Sequence, residues 1–262
     1  IFPPPAGKDG FLATNSLLGF VTLLARAYAL EFGQDQLWSD NSAIVNRLFM
    51  PEAKAIPRWH SETKQLWERS TTLVIHGPTT KVGAIDLESK FTEAALGNLQ
   101  LADYRNFAHG RHHWLAKRGD VSGGLALVSD QDRALARKTL RLIPTEVPVA
   151  EIDIDGPPLA AMLSSLIAAL RITEWAGEAK GIDPGRPGVP QFGRKLYSLP
   201  LPRVAELKPG IPLTHCESAA IARKAGKTPV QMKQLELTRW KDAGNSYRLR
   251  LAKKEFADRK SV

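Results

Sequence analysis

The chain carries a single cysteine, Cys216, among 262 residues. That excludes an intramolecular disulfide and argues against a thiolate zinc cluster. It suits a reducing, cytoplasmic compartment, which is the expectation here. No run of 18 or more apolar residues occurs, so no membrane-spanning helix and no membrane partner are expected. Residues 17–29 imitate a signal peptide, closing on Arg26-Ala27-Tyr28-Ala29. Thr14-Asn15-Ser16 interrupts the apolar run, however, and Lys8 is the one charge-bearing basic residue before it, so a buried helix is the better reading. Heptads and low-complexity tracts are missing as well, which excludes coiled coils and fibrous chains. An initiator Met is also missing. The chain opens on Ile1-Phe2-Pro3-Pro4-Pro5 and reads as a piece of a longer protein.

What is present is ordinary globular material. Apolar residues make up 43% and charged residues 24%, enough for a substantial core at this length. The formal net charge is +9, and it is unevenly placed. Residues 205–262 hold +7, and the preceding 204 residues hold only +2. A nearly neutral body with a basic tail follows, and such a tail attracts polyanions.

Periodicity divides the chain into elements. The spacing predicts helices over residues 14–30 and 41–50, a linker over 51–59 and a short helix over 61–70. Residues 72–77, Thr-Leu-Val-Ile-His-Gly, read as a buried strand closed by glycine. A helix is expected over 82–101, strands over 124–129 and 147–154, and between these two a helix over 133–142 that Asp130 opens. A long apolar helix is expected over 158–179, with Pro158 at its start. Strands alternating with helices imply a parallel, doubly wound α/β sheet. Residues 181–212 are rich in Gly and Pro, and three helices are expected beyond them, over 216–225, 228–240 and 247–260.

Open α/β sheets bind ligands beyond the carboxyl ends of their strands, which directs attention to the loop after Ile75. Two groups suit acid–base chemistry. Glu93 needs partial burial to act as a base on carbon, and His109 could pass a proton to or from a hydroxyl. Against these stand bland readings: a lone helical Glu is usually a solvated residue. The run His109-Gly110-Arg111-His112-His113 is weak evidence for a metal, because no further ligand motif accompanies it. No metal and no cofactor are expected. His60, His76 and His215 read as packing or surface residues, and Arg111 offers a fork for phosphate.

The run from Ala84 to Glu93, Ala-Ile-Asp-Leu-Glu-Ser-Lys-Phe-Thr-Glu, followed by Asn106-Phe-Ala and His109-Gly110, resembles the sugar isomerase (SIS) domain family. The closest likeness is to the isomerase half of glucosamine-6-phosphate synthase. There, too, an acidic residue, a Lys four positions later and a Glu three beyond precede a His-Gly by sixteen residues. Residues 7–16 and 181–187 resemble loops of the same family. The resemblance covers about residues 7 to 200.

It implies a division into 1–70, the back half of a first SIS subdomain, 71–202, a second SIS subdomain, and 203–262, a basic helical tail or linker to a further domain. It implies Glu93 as the base moving a proton between C1 and C2 of a phosphosugar, His109 assisting ring opening, and Lys90 beside them. Substrate contacts would come from Leu12, Ala13, Thr14 and Asp86. Thr79 and Thr80 stand where a phosphate turn is wanted, with Arg111 as an anion fork. Lys195 is the nearest candidate for the family's lysine on the open-chain sugar. A sugar phosphate or related carbohydrate derivative is the implied partner, and the family's inter-subunit site implies a homodimer. The first expectation is therefore an aldose–ketose isomerase-like protein, and the alternative is a non-catalytic module sensing a sugar phosphate or nucleotide-sugar. A third reading places nucleic acid on the tail, through Arg239, Lys241, Arg248, Arg250, Lys253 and Lys254, with Trp240 and Tyr247 to stack on bases.

Overall fold

The structure is a computed structural model that describes residues 9–50, 53–199, 211–212, 236–241 and 247–251. Two compact units divide the chain, Ile1–Val189 and Pro190–Val262. The first holds a four-stranded sheet of β1 (Thr71–His76), β2 (Asn98–Asp103), β3 (Ser122–Ser129) and β4 (Val149–Ile154). Every pairing is parallel and the order is β2-β1-β3-β4. All six residues of β1 and all eight of β3 are buried, which is why both read as continuous apolar or small-residue runs without alternation.

Side chains alternate between two cores, as a pleated strand requires. Val74, Leu125, Leu127, Ile152 and Ile154 join one cluster, and Leu73, Ile75, Ala126 and Val128 the other. The first is covered by α3 (Ala55–Thr63), α4 (Lys81–Glu93) and α8 (Pro158–Lys180). The second lies under α5 (Tyr104–Asn106), a π-helical turn (Phe107–Arg111), α6 (His112–Arg118) and α7 (Arg133–Leu140). Helices α1 (Asn15–Glu31) and α2 (Asp35–Asn46) pack against α8. The expected boundary at residue 70 falls inside this unit, because Trp59 and Leu66 belong to the same core as the sheet.

Helix α8 is apolar over a length that would cross a membrane, but 14 of its 23 residues are buried among the other elements. Pro158 opens it, and Gly181 closes it in the left-handed region at φ 63°. Asp9, not a residue adjoining the helix, caps α1. Its carboxylate accepts from the Thr14, Asn15 and Ser16 amides, each at 3.0 Å. Burial pushes the Asp9 carboxyl up, yet these bonds and the Ser16 and Thr14 hydroxyls outweigh it and hold the group well below the carboxylate range.

Three expectations are corrected. The helix expected over 82–101 stops at Glu93, and β2 takes over from Asn98. A Schellman motif ends it: Leu96 N–H donates to Phe91 O (2.8 Å) and Ala95 N–H to Thr92 O (3.2 Å), with Leu96 and Phe91 in one core. Ala95 takes the left-handed position, φ 55°, where glycine is the usual signal. The linker expected over 51–59 instead enters α3, whose first turn tolerates Pro57 because no helical partner is needed there. In the tail, the helices expected over 228–240 and 247–260 meet strands. β6 (Glu236–Lys241) pairs antiparallel with β5 (Ile211–Pro212) and with β7 (Tyr247–Leu251). Tyr-Arg-Leu-Arg-Leu has a period of two, the strand period. The helix expected over 216–225 and the boundary at 202 lie outside the described residues. The second unit also holds α9 (Gln191–Tyr197).

Candidate functional site

From β1 the chain crosses to β2 on one side, and from β3 to β4 on the other. The crevice between the carboxyl ends of β1 and β3 is therefore the switch point of the sheet, where open α/β folds place ligands. Two turns meet there. Thr79 Oγ1 donates to Ser129 Oγ (2.9 Å), which donates to Asp132 Oδ2 (2.8 Å). Gly77 N–H donates to Thr80 Oγ1 (3.1 Å). A Cβ on Gly77 would lie 1.6 Å from Asp132 Oδ2, so a larger residue there must push the Asp132 side chain away from its bond with Ser129.

His76 ends β1, buried, with Nδ1 3.0 Å from Gly77 O. Its register partner on β2 is Asp103. The amide of Asn106 holds the Asp103 carboxyl below its ordinary range, against a rise from burial and with help from the Asn106 side chain, Arg105 N–H and His76. Beyond β4, Arg133 bonds Asp130 and Asp155 (2.7 Å each) and Asp153, while Arg58 meets Asp153 at 3.1 Å. This end of the sheet is rich in carboxylates and hydroxyls. It suits a hydroxyl-bearing ligand better than a bare phosphate. Thr80 is wholly buried and spent on its own turn, so the Thr79-Thr80 pair is not an open phosphate cradle.

Helix α4 carries Asp86, Lys90 and Glu93. Lys90 is 3% exposed, and its Nζ donates to Asp86 Oδ1 at 2.5 Å. Asp86 Oδ2 is buried with no hydrogen-bond partner among the described residues. Burial raises the Asp86 carboxyl above its ordinary value, against the pull of Lys90. Glu93, one turn later, faces solvent and accepts from Ser89 Oγ (2.5 Å). His109 is exposed in the π-helical turn, just before Gly110 kinks the backbone. Because α4 and the α5–α6 segment pack on opposite faces of the sheet, a single copy does not bring Glu93 and His109 together.

The remaining candidates scatter. Thr14 Oγ1 donates to Asp9 (3.1 Å), Ala13 is exposed, and the Leu12 side chain is 2% exposed in the core, which leaves its backbone for any contact. Their loop closes on the 181–187 loop, with Phe11 N–H donating to Gly185 O (2.8 Å). The two loops that resemble the family are thus neighbours. Arg111 is exposed beside His109. Lys195 is exposed on α9, in the second unit. In the tail, Arg239, Trp240 and Lys241 fall on β6 and Tyr247, Arg248 and Arg250 on β7, while Lys253 and Lys254 lie outside the described residues.

Among the described residues no group of three His, Cys, Asp or Glu side chains could hold a metal ion. His112 instead sets Nδ1 3.0 Å from Phe107 O. Ser129, Asp132 and Asp103 were missed in the sequence, although the carboxyl-end rule applied to β2 and β3 would have reached them. Protein-family models give no match to this chain, and no curated protein matches it.

Proposed function

We propose that the chain is a phosphosugar-handling protein of SIS type, with a doubly wound sheet, whose acid–base site is completed between two copies. Glu93 of one copy takes the proton beside the sugar carbonyl, and His109 of the other serves the ring oxygen or hydroxyl. The observation that carries the reading is the placement of these two groups. Both face solvent in one copy, at the spacing the family shows, yet on opposite faces of one sheet, so the partial burial that Glu93 needs would have to come from the second copy. Neither can serve the other's substrate within a copy.

A mating surface is at hand. Along α4 the outward stripe runs Val82, Ile85, Ser89, Glu93, and Val82 lines an apolar hollow of 520 Å³ with Leu24, Tyr28, Phe32 and Leu37. Exposed apolar surface of this kind marks an association site. Glu93 therefore lies on the helix that borders it. The Asp86–Lys90 pair beneath gives α4 a fixed charge pattern, and Lys90 reaches a substrate only if that pair opens.

Deuterium uptake at C1 and C2 of hexose and pentose phosphates in D2O tests this. Glu93→Gln abolishes uptake, and His109→Asn slows it less on open-chain substrates. Mixing the two variants restores about a quarter of wild-type turnover, since half the dimers are hybrids with one intact site. No recovery on mixing would place both groups in one site or neither. Thermal stabilisation by a sugar phosphate without uptake would favour the sensing module instead. If wild type shows neither uptake nor stabilisation with any of them, the phosphosugar reading falls.

A further inference from the structure

Helix α6 and the turn before it carry a surface that the isomerase reading uses only at Arg111. Arg111, His113, Trp114, Lys117 and Arg118, with Gln100 and Gly110, line an open pocket of 390 Å³. Every side chain there is a hydrogen-bond donor or a cation, and no carboxylate lines it. Arg111, Lys117 and Arg118 are exposed, and none forms an ion pair with a described carboxylate. Cations so grouped repel one another unless an anion joins them.

Trp114 sits among them, 37% exposed. Its Nε1–H donates to Ser122 Oγ (2.9 Å), a wholly buried group at the start of β3. That bond turns the pyrrole edge inward and fixes the ring, so the exposed part of the indole is held still at the surface. A fixed aromatic ring ringed by cations is what a base and its phosphates need together. From Arg111 to Arg118 the cations span about 10 Å along the chain's helical rise, more than one phosphate can engage.

We propose that this face of α6 binds single-stranded nucleic acid, with Trp114 stacking on a base and Lys117, Arg118 and Arg111 meeting successive phosphates. From Arg111 the row runs away from His109 along α6, so Trp114, Lys117 and Arg118 test it separately from the site above.

The test is fluorescence anisotropy of the full chain with a labelled oligothymidylate across a salt series, each variant being checked for folding by circular dichroism. Wild type binds and weakens with salt. Lys117→Ala/Arg118→Ala binds more weakly, and its salt slope falls by about 1.4, the share of two phosphate contacts on a single strand. Trp114→Ala weakens binding about tenfold or more at an unchanged slope. Should that variant fail to fold, Trp114→Phe keeps a ring and most of the affinity while the slope again stays fixed. Three results would overturn the proposal. These are no binding by wild type at 50 mM salt, binding by the double variant equal to wild type, which would put the contact on the basic 203–262 segment, and binding of a duplex as tight as that of the strand.

Discussion

Two helical segments flank the edge strand β2, and they treat charge in opposite ways. On α4 the Lys90 ammonium and the Asp86 carboxylate are buried against each other, and one carboxylate oxygen has no partner among the described residues. On α6 and the turn before it, Arg111, Lys117 and Arg118 stand in water, and none pairs with a carboxylate among the described residues. In the first case the charges are costly to keep and hold each other in place; in the second they cost the fold almost nothing and remain open to a ligand. A buried pair is weak evidence for stability, because desolvation opposes attraction. Its presence on a helix that leads to Glu93 is therefore better explained by position than by strength.

Breaking the pair gives the largest expected effect. Lys90→Met strands an ionised Asp86 and lowers stability by about 3–5 kcal/mol in urea melts at pH 7.5. Adding Asp86→Leu recovers most of the loss. The pH dependence has a definite sign. Burial already raises the folded-state Asp86 above its unfolded value, so protonation favours the folded form. Without Lys90 the rise is larger, and the penalty shrinks as pH falls from 7.5 toward 4.5. A penalty equal at both pH values would mean that Asp86 is not buried.

The packing of α4 is tested next. A Cβ on Gly83 would meet the Ser165 carbonyl of α8 at 2.3 Å, and backbone there cannot step aside. Gly83→Ala costs about 1–3 kcal/mol through overpacking. The opposite sign is expected at the helix end. Ala95→Gly relieves the left-handed alanine and raises stability by about 1 kcal/mol, read as an increase in Tm. The smallest effect belongs to α6, where Lys117→Ala and Arg118→Ala change stability by no more than about 0.5 kcal/mol. A larger loss there would show those cations to be structural and would erase the contrast with α4.

Much of the fold was legible where local chemistry and tertiary demand agree. Strand β1 was readable because both of its faces are buried, and α8 because Pro158 opens it and Gly181 closes it. Helix α4 ended unseen because Ala95 takes the place of a glycine, so β2 was read as more helix. The tail misled in another way, its basic residues suggesting a solvated helix while the alternation over 247–251 suited a strand.

The candidate site divides along the same line. Sequence alone determined the element types of β1, β3 and β4, the register of Asp86, Lys90 and Glu93 on one helix, and the sixteen-residue step to His109, because helical spacing and strand alternation are local properties. Only the tertiary structure decided that Lys90 is buried on Asp86, that Thr80 is spent within its turn, and that Glu93 and His109 stand on opposite faces of the sheet. Those facts depend on which side of the sheet each crossover takes and on what packs over each helix, and spacing along a chain carries neither.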